Sequence, residues 1–263
     1  MTEPAAFYLP AADGTFDSTN ATTSPWDDTQ QHGGPPSALM ARAIENCAPR
    51  LDMATSRISV DFLGGIPQGQ MTLTAEVIRP GRRIELVEAR LHVAGQCVAV
   101  ARAWRSQVGA GTAPSVPGPS PTSPALPEPQ HQAFFPGVDL QWGYGRAIEW
   151  RFVSGSFQDN GPAVVWARPM LPLVAGEVST GLQRALIVAD STNGLSSELD
   201  LTKWLFIPPT LTLTLYREPE GEWLLLDAAT RIDTRGTGMA HAILFDRFSE
   251  FGVATQALLV QPR

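Results

Sequence analysis

The stretch Pro67-Gln68-Gly69-Gln70-Met71-Thr72-Leu73 returns later in the chain as Pro219-Glu220-Gly221-Glu222-Trp223-Leu224-Leu225. The two stretches lie 152 residues apart (219 − 67 = 152), and the same offset places Arg79 on Arg231. Self-similarity over such a distance is typical of two copies of one structural unit. We interpret the chain as a duplicated fold; the alternative is chance agreement among common residue types.

The repeat also predicts one helix in each copy, ahead of the repeated strands. Three residues recur at a slightly shorter offset (181 − 34 = 147), and the pairs are Gly34 and Gly181, Ala38 and Ala185, and Leu39 and Leu186. Glycine permits a tight entry turn and proline suits the first helical turn, so the run 32–37 favours a helix start. On this alignment Asp190 takes the place of Ala43, so we expect a carboxylate in only one copy.

Composition limits the class of protein. The chain has 263 residues, of which 43% are hydrophobic and 17% charged, and its net charge is −7. These values are typical of a globular chain, and the acidic balance disfavours binding to nucleic acid or to anionic lipid. We expect no membrane partner, because no apolar run approaches the ~20 residues that span a bilayer.

The sequence shows neither a targeting signal nor a metal-binding motif. The first residues do not read as a signal peptide, so we expect a cytoplasmic protein. Two cysteines, Cys47 and Cys97, do not form a disulfide framework, and the four histidines lack ligand spacing. We therefore expect neither a metal nor a cofactor.

Alternation and turn residues predict an antiparallel meander after each helix. The predicted strands of the first copy are 7–9, 14–16, 57–62, 71–79, 83–93 and 97–105, and those of the second are 148–157, 164–168, 210–216, 223–233, 238–245 and 253–260. The second helix is predicted over 179–193. Between the copies, residues 106–137 are rich in Pro, Ser and Ala, which is typical of a linker. The predicted units are therefore 1–105 and 138–263.

Several short motifs, in this order, resemble the acyl-CoA thioesterase II-like double hot-dog family. They are His32-Gly33-Gly34, Val60-Asp61-Phe62, Ile78-Arg79-Pro80-Gly81-Arg82, Ala101-Arg102-Ala103-Trp104 and Ala254-Thr255-Gln256. The resemblance implies an α+β fold, the double hot-dog, in which two tandem repeats each wrap a long antiparallel sheet around a central helix. It also implies hydrolysis of a medium- or long-chain fatty acyl-CoA, with coenzyme A present only as part of the substrate. We further expect a homo-oligomer.

The resemblance implies that an aspartate, a threonine and a glutamine activate a water. Asp190 matches the aspartate; a buried carboxyl after four apolar residues is costly unless paired or used, although it can also simply end the helix. Gln256 is the best match to the glutamine, although it can equally face solvent. Thr210 and Thr212 are the candidate threonines, although alternation with leucine also fits a solvent-facing ladder.

Substrate-binding residues are predicted at two places. Gly33 and Gly34 can offer backbone N–H groups to the thioester oxygen, with His32 beside them, or can simply permit the turn. Three arginines, Arg79, Arg82 and Arg83, can meet the phosphates of coenzyme A or lie in solvent.

Two other functions remain open on this fold. A non-catalytic acyl-CoA or lipid-binding protein is the main alternative, because no threonine matches cleanly. A hot-dog hydratase is the other, but the aspartate–histidine pair that it needs, on a loop leading into the helix, is not evident in the sequence.

Overall fold

A computed structural model describes residues 4–109, 113–114, 116 and 123–263. The described residues form a thirteen-stranded sheet and four α-helices. The strands are β1 Tyr8–Pro10, β2 Phe16–Ser18, β3 Met53–Phe62, β4 Gln70–Arg79, β5 Ile84–Val93, β6 Gln96–Gln107, β7 Ile148–Ser154, β8 Ala163–Pro169, β9 Trp204–Ile207, β10 Thr210–Leu215, β11 Leu224–Ile232, β12 Thr237–Phe245 and β13 Glu250–Pro262. The helices are α1 Gly34–Asn46, α2 Gly143–Arg146, α3 Gly181–Ala189 and α4 Thr192–Leu195.

The sheet is continuous across both halves of the chain. Its order is β1-β2-β4-β5-β6-β3 and then β10-β13-β12-β11-β8-β7, with β9 pairing only with β13. The halves meet where β3 and β10 pair antiparallel, with Ser59 opposite Thr212. The two halves of this order mirror one another, so the sequence repeat corresponds to two structurally equivalent units.

The second copy interrupts one strand that the first copy keeps whole. At the offset of 152 residues, β3 corresponds to β9 and β10 together, and Pro208 and Pro209 lie between them. Proline has no backbone N–H to give to a strand ladder, so this pair ends β9 and β10 begins after it. The sequence pattern does not predict β9 or the short helix α2.

Helices α1 and α3 pack side by side and run antiparallel. Gly34, in the first turn of α1, is so close to α3 that a Cβ there would lie 2.1 Å from the Ile187 oxygen. At the other end, the Glu45 carboxylate of α1 accepts hydrogen bonds from Thr180, the N-cap of α3. Leucines and small residues of both helices are buried in one hydrophobic cluster that contains strands of both copies.

The sheet and its two central helices have the arrangement expected for a double hot-dog, and the α+β fold is confirmed. The boundaries of the main strands lie within three residues of those predicted, except that β3 begins four residues earlier, at Met53. The second helix is shorter than predicted, because α3 ends at Ala189 and the chain turns at Asp190 before α4.

The segment predicted as a linker is partly built into the fold. Strand β6 continues to Gln107, and Phe134 and Phe135 are buried in the main core. The side-chain amides of Gln130 and Gln132 hydrogen-bond the backbone of β7, the edge strand. Residues 123–137 therefore cover the β7 edge of the sheet, which would otherwise be exposed. Covering an edge strand is a usual protection against unwanted strand pairing. Much of 106–122 lies outside the described residues.

Within the described residues, no helix has both the length and the apolar character needed to cross a bilayer.

Candidate functional site

A cavity of about 610 Å³ lies where the two copies meet. The first copy contributes the turn before α1 and the end of β3, and the second contributes the end of α3, α4 and the β9–β10 connection. Phe135, from the segment between the copies, and Trp142, from the start of the second copy, close one side. The side chains of Asp190 and His32 both line the cavity. Its size falls within the range of small-molecule sites.

Asp190 lies at the end of α3, where its backbone is the helix C-cap. Asp190 is buried, with only 5% of its surface exposed to solvent. Gln256, on β13, donates from Nε2 to Asp190 Oδ1 at 3.0 Å and to the Asp190 carbonyl oxygen at 3.1 Å. Gln256 Oε1 in turn accepts from the Asn193 N–H at 3.0 Å. Gln256 therefore holds the turn between α3 and α4 and orients the carboxylate.

The structure thus gives Gln256 a different task from the one expected. Its two amide protons are both used on Asp190, and it does not line the cavity. It is also buried rather than facing solvent, being 1% exposed. The amide therefore acts on the Asp190 carboxylate, and its contact with a reacting water stays a prediction.

His32 lies against the same carboxylate. Its Nδ1 is 3.3 Å from Asp190 Oδ2 and accepts from the Gly34 N–H at 3.2 Å. The imidazole stacks on the Tyr144 ring, with centroids 3.8 Å apart and planes 6° apart. Tyr144 is fixed in turn, because its hydroxyl donates to the Ile187 oxygen at 2.7 Å. The ring of His32 therefore has little freedom to turn away from Asp190.

Asp190 and His32 thus form an aspartate–histidine pair, although Asp190 lies at the end of α3 and not on a loop leading into a helix. The two residues are far apart in sequence and belong to different copies, so no local motif reveals them.

Burial sets the protonation of this pair. Desolvation raises the pKa of Asp190 to about 7, against the opposing hydrogen bonds from Gln256 and from the N–H groups of Gly33 and Gly34. Desolvation also lowers the pKa of His32 to about 3, so the imidazole is neutral. The single lone pair of His32 Nδ1 accepts from the Gly34 N–H, so its 3.3 Å approach to Asp190 Oδ2 is a close contact and not a second hydrogen bond. Asp190 therefore loses its own proton as the pH rises through about 7, while the imidazole stays neutral.

Gly33 and Gly34 are needed for close approach. A Cβ on Gly33 would lie 2.7 Å from Asp190 Oδ2 and 2.9 Å from Phe62 Cζ. Their N–H groups lower the pKa of the Asp190 carboxyl, against the larger effect of burial, and that of Gly34 donates to His32 Nδ1. Both N–H groups therefore act on the Asp190 carboxyl, and their donation to a thioester oxygen stays a prediction.

Neither candidate threonine lies at this site. On β10, Leu211 and Leu213 are fully buried, so Thr210 and Thr212 lie on the opposite face. The Thr210 hydroxyl accepts from the Ala257 N–H at 3.2 Å, and that of Thr212 bonds Ser59 Oγ at 2.5 Å. Neither lines the cavity. The alternation with leucine therefore marks a face of the sheet directed away from Asp190.

The arginine cluster lies at the far end of α1. Arg50, just after this helix, donates to the carbonyl oxygens of Gly81 and Arg82. Arg79 donates to the Ile84 oxygen and lies over the Trp104 ring. Helix α1 has 13 residues, so it separates this turn from the Gly33-Gly34 end by roughly 20 Å. Arg79, Arg82 and Arg83 do not line the cavity.

Sequence reasoning missed the functional potential of Asn193. This residue lines the cavity one helical turn after Asp190, and its Nδ2 makes only a long 3.4 Å contact with the Phe206 oxygen. It therefore presents a polar donor near the carboxylate. Asparagine just after a helix end reads as a capping residue, so the pattern gave no signal for this role.

The opposite end of the helix pair also has a carboxylate, contrary to expectation. Glu45, two residues beyond Ala43, accepts from Thr180 Oγ1 at 2.8 Å and from Gln183 Nε2 at 2.6 Å. Desolvation raises its pKa. Both carboxylate oxygens are thus engaged by the first turn of α3, and Glu45 does not line the cavity near Asp190.

Within the described part of the chain, no group of three or more His, Cys, Asp and Glu side chains gathers as a metal site would require.

Structures of low sequence identity share this fold. A hot-dog protein from Alicyclobacillus acidocaldarius is 14% identical, with a TM-score of 0.72 over 94% of this chain and 92% of its own. An acyl-CoA thioesterase II from Mycobacterium marinum is 14% identical, with a TM-score of 0.63 over 97% and 95% of the two chains. At such identities the likeness concerns the fold alone. No curated protein matches the chain significantly by sequence.

Family-level sequence similarity covers most of the chain in two parts. Residues 22–106 match the acyl-CoA thioesterase N-terminal domain, and residues 119–260 match the acyl-CoA thioesterase C-terminal domain. The two matches correspond to the two copies of the repeat, and together they include Asp190, His32 and Gln256. The chain therefore belongs to the acyl-CoA thioesterase family of thioester hydrolases.

Proposed function

We propose that the chain hydrolyses a medium- or long-chain acyl-CoA in the cavity between its two copies, with Asp190 as the general base. The observation that carries this proposal is the environment of Asp190. Its carboxylate is buried, oriented by Gln256, and yet open to a cavity of about 610 Å³. A base with a pKa near 7 is matched to proton transfer at neutral pH.

In the proposed reaction, ionised Asp190 takes a proton from a water as the water oxygen attacks the thioester carbon. The tetrahedral intermediate then expels the coenzyme A sulfur, and Asp190 returns the proton to this thiolate. The products are a carboxylic acid and free coenzyme A. We propose that Asn193 Nδ2 donates to the developing oxyanion, because it is a cavity-lining amide without a short hydrogen bond. Gln256 acts as a positioning residue.

The test is release of free thiol from acyl-CoAs by the wild type and by Asp190→Asn. Asparagine keeps the shape and can still accept from Gln256, but it cannot remove a proton. We expect a loss of about 10²-fold or more in kcat with the fold retained, as for removal of a general base. An Asp190→Asn protein with wild-type turnover would exclude this mechanism.

The contact between Asp190 and His32 favours one second candidate, hydration of an enoyl-CoA. The two reactions differ in their products, since hydration consumes the conjugated double bond and releases no thiol. Loss of enoyl absorbance without thiol release would favour this candidate over hydrolysis.

A further inference from the structure

We propose that the cavity is selective for an acyl group that carries an aromatic ring close to the thioester carbonyl, as in an arylacetyl-CoA. This inference rests on the proposed hydrolysis at Asp190, and it narrows the acyl group to one of medium length that contains a ring. It follows from the kind of side chains that form the cavity and from their distance to Asp190.

Aromatic side chains are concentrated around this cavity. They make up 8% of the chain, yet six of the 27 described residues that line the cavity are aromatic. The six are Trp26, Phe62, Phe135, Trp142, Phe157 and Phe206. They come from both copies and from the segment between them, so no single strand pattern produces this enrichment.

Two of these rings approach the reacting end of the site. The Phe62 ring and the Asp190 carboxylate both contact Gly33. A Cβ added to Gly33 would lie 2.9 Å from Phe62 Cζ and 2.7 Å from Asp190 Oδ2. On the other side, the Phe135 ring reaches Gly194, with Cζ 2.9 Å from an added Cβ there. The Phe62 ring therefore borders the space next to the carboxylate, and the Phe135 ring borders the same cavity beside α4. A ring on the substrate would meet them only if it lies a few bonds from the thioester carbon.

The rings of the cavity wall already contact one another, so a ring on the substrate would extend an existing aromatic cluster. Phe135 lies edge-on to Phe157, with centroids 4.8 Å apart and planes at 67°, and tilted to Trp142 at 6.1 Å. Trp26 lies 5.8 Å from Phe135 on the other side. Such edge-to-face contacts contribute beyond the burial of apolar area, and a saturated chain cannot make them. A substrate ring would therefore gain more from these walls than an alkyl chain of equal size.

The experiment compares three acyl-CoAs with equal numbers of acyl carbons: phenylacetyl-CoA, cyclohexylacetyl-CoA and octanoyl-CoA. The cyclohexyl compound controls for ring shape without aromatic character. We expect kcat/KM for phenylacetyl-CoA to exceed that for either saturated compound by roughly 3- to 10-fold, the size expected of one good aromatic contact. A kcat/KM equal to or below that of the saturated compounds would overturn the inference, while leaving the proposed hydrolysis intact.

Binding supplies a second readout that does not depend on turnover. Dissociation constants for the same three compounds, measured by calorimetry on Asp190→Asn, should show the same order. If this variant does not fold, the wild-type kcat/KM comparison decides alone. Absence of binding and of hydrolysis for all three compounds would overturn both the inference and the proposed function.

Matched variants locate the preference. Phe135→Leu removes a cavity ring and should reduce the ratio between phenylacetyl-CoA and octanoyl-CoA towards unity. Phe152→Leu is the control, because Phe152 contacts Phe157 at 5.2 Å but does not line the cavity. It should keep the wild-type ratio. An unchanged ratio in Phe135→Leu, or an equal loss in both variants, would contradict the assignment to the cavity wall.

Discussion

At the scale of single residues, Asp190 is held by donors and yet keeps a raised pKa. Gln256 and the N–H groups of Gly33 and Gly34 stabilise its ionised form, but burial opposes them and has the larger effect. The neighbouring imidazole supplies no positive charge, because burial keeps it neutral. A carboxyl in this setting changes protonation near neutral pH, whereas an exposed aspartate does so about three pH units lower.

The pH dependence of hydrolysis follows from this shift. The base form of Asp190 is present above its pKa, so kcat/KM should rise with pH through about 7 and level off above it. The measurement is thiol release between pH 5 and 9, with melting temperature recorded at each pH to separate activity from unfolding. A profile that is flat between pH 5 and 8 would contradict Asp190 as the base.

Asn193 offers a second test at this scale. Asn193→Leu keeps the approximate size but removes the amide, so kcat should fall by about 10- to 1000-fold if Nδ2 stabilises the oxyanion. Ser191→Ala is the comparison, since the Ser191 hydroxyl bonds Tyr144 at 2.8 Å. A similar small effect of both changes would argue against a special role for Asn193.

At the scale of elements, the second copy departs from the first at two places, and both border the cavity. The helix breaks at Asp190, between α3 and α4, and the strand breaks at Pro208 and Pro209, between β9 and β10. The first copy keeps an unbroken 13-residue helix and an unbroken strand at these positions. The two breaks place non-helical and non-strand backbone, with its unpaired polar groups, at one end of the helix pair. A substrate-binding site can form there.

The close contact between α1 and α3 predicts the effect of a small substitution. Gly34→Ala places a methyl group 2.1 Å from the Ile187 oxygen, so the helices must separate. We expect a loss of about 1 to 3 kcal/mol in the free energy of unfolding, measured with denaturant. Gly109→Ala, which meets nothing within 4 Å, is the control and should leave stability nearly unchanged. Equal stabilities of the two variants would contradict the tight packing.

The segment before β7 provides another stability test. Phe134 is 3% exposed and packs on Trp142 at 5.2 Å, so Phe134→Ala should cost about 3 to 5 kcal/mol. Val116→Ala, in the same Pro-rich region but 84% exposed, should have little effect on the melting temperature. A large loss in Phe134→Ala together with little change in Val116→Ala would establish that only part of 106–137 behaves as a linker. Equal melting temperatures of the two variants would support a linker throughout.

At the scale of the whole molecule, two equivalent ends of the helix pair have become different. At one end Asp190 opens to the cavity, and at the other Glu45 is engaged by the N-terminus of α3. The site at the Asp190 end takes residues from both copies, so neither copy contains it alone. We infer one productive site in each chain.

Stoichiometry and mutation test this asymmetry together. Titration of Asp190→Asn with an acyl-CoA should give one site per chain. Glu45→Gln should keep hydrolysis within about twofold of wild type, because Glu45 does not line the cavity, whereas Asp190→Asn should nearly abolish it. Two equal sites per chain, or matching losses in the two variants, would show that both ends are active.

The sequence by itself determined the duplication, the positions of the main strands along the chain and the two central helices. The predicted meander was wrong for the first strand of each copy, because β3 pairs with β6 and β10 with β13. Strand alternation, glycine and proline turns and apolar helix faces are local signals, so they can be read along one chain. It also indicated Asp190, since a carboxyl after four apolar residues is unusual, and the Gly33-Gly34 turn before α1.

Only the tertiary structure decided which of the candidate residues meet. His32 and Asp190 come together because α1 and α3 pack antiparallel, and Gln256 reaches them because β13 faces inward at that position. The threonines of β10 fall on the outer face, and the Arg82 turn falls at the far end of α1. A sequence records spacing along one chain, whereas these distances depend on how two copies pack against each other.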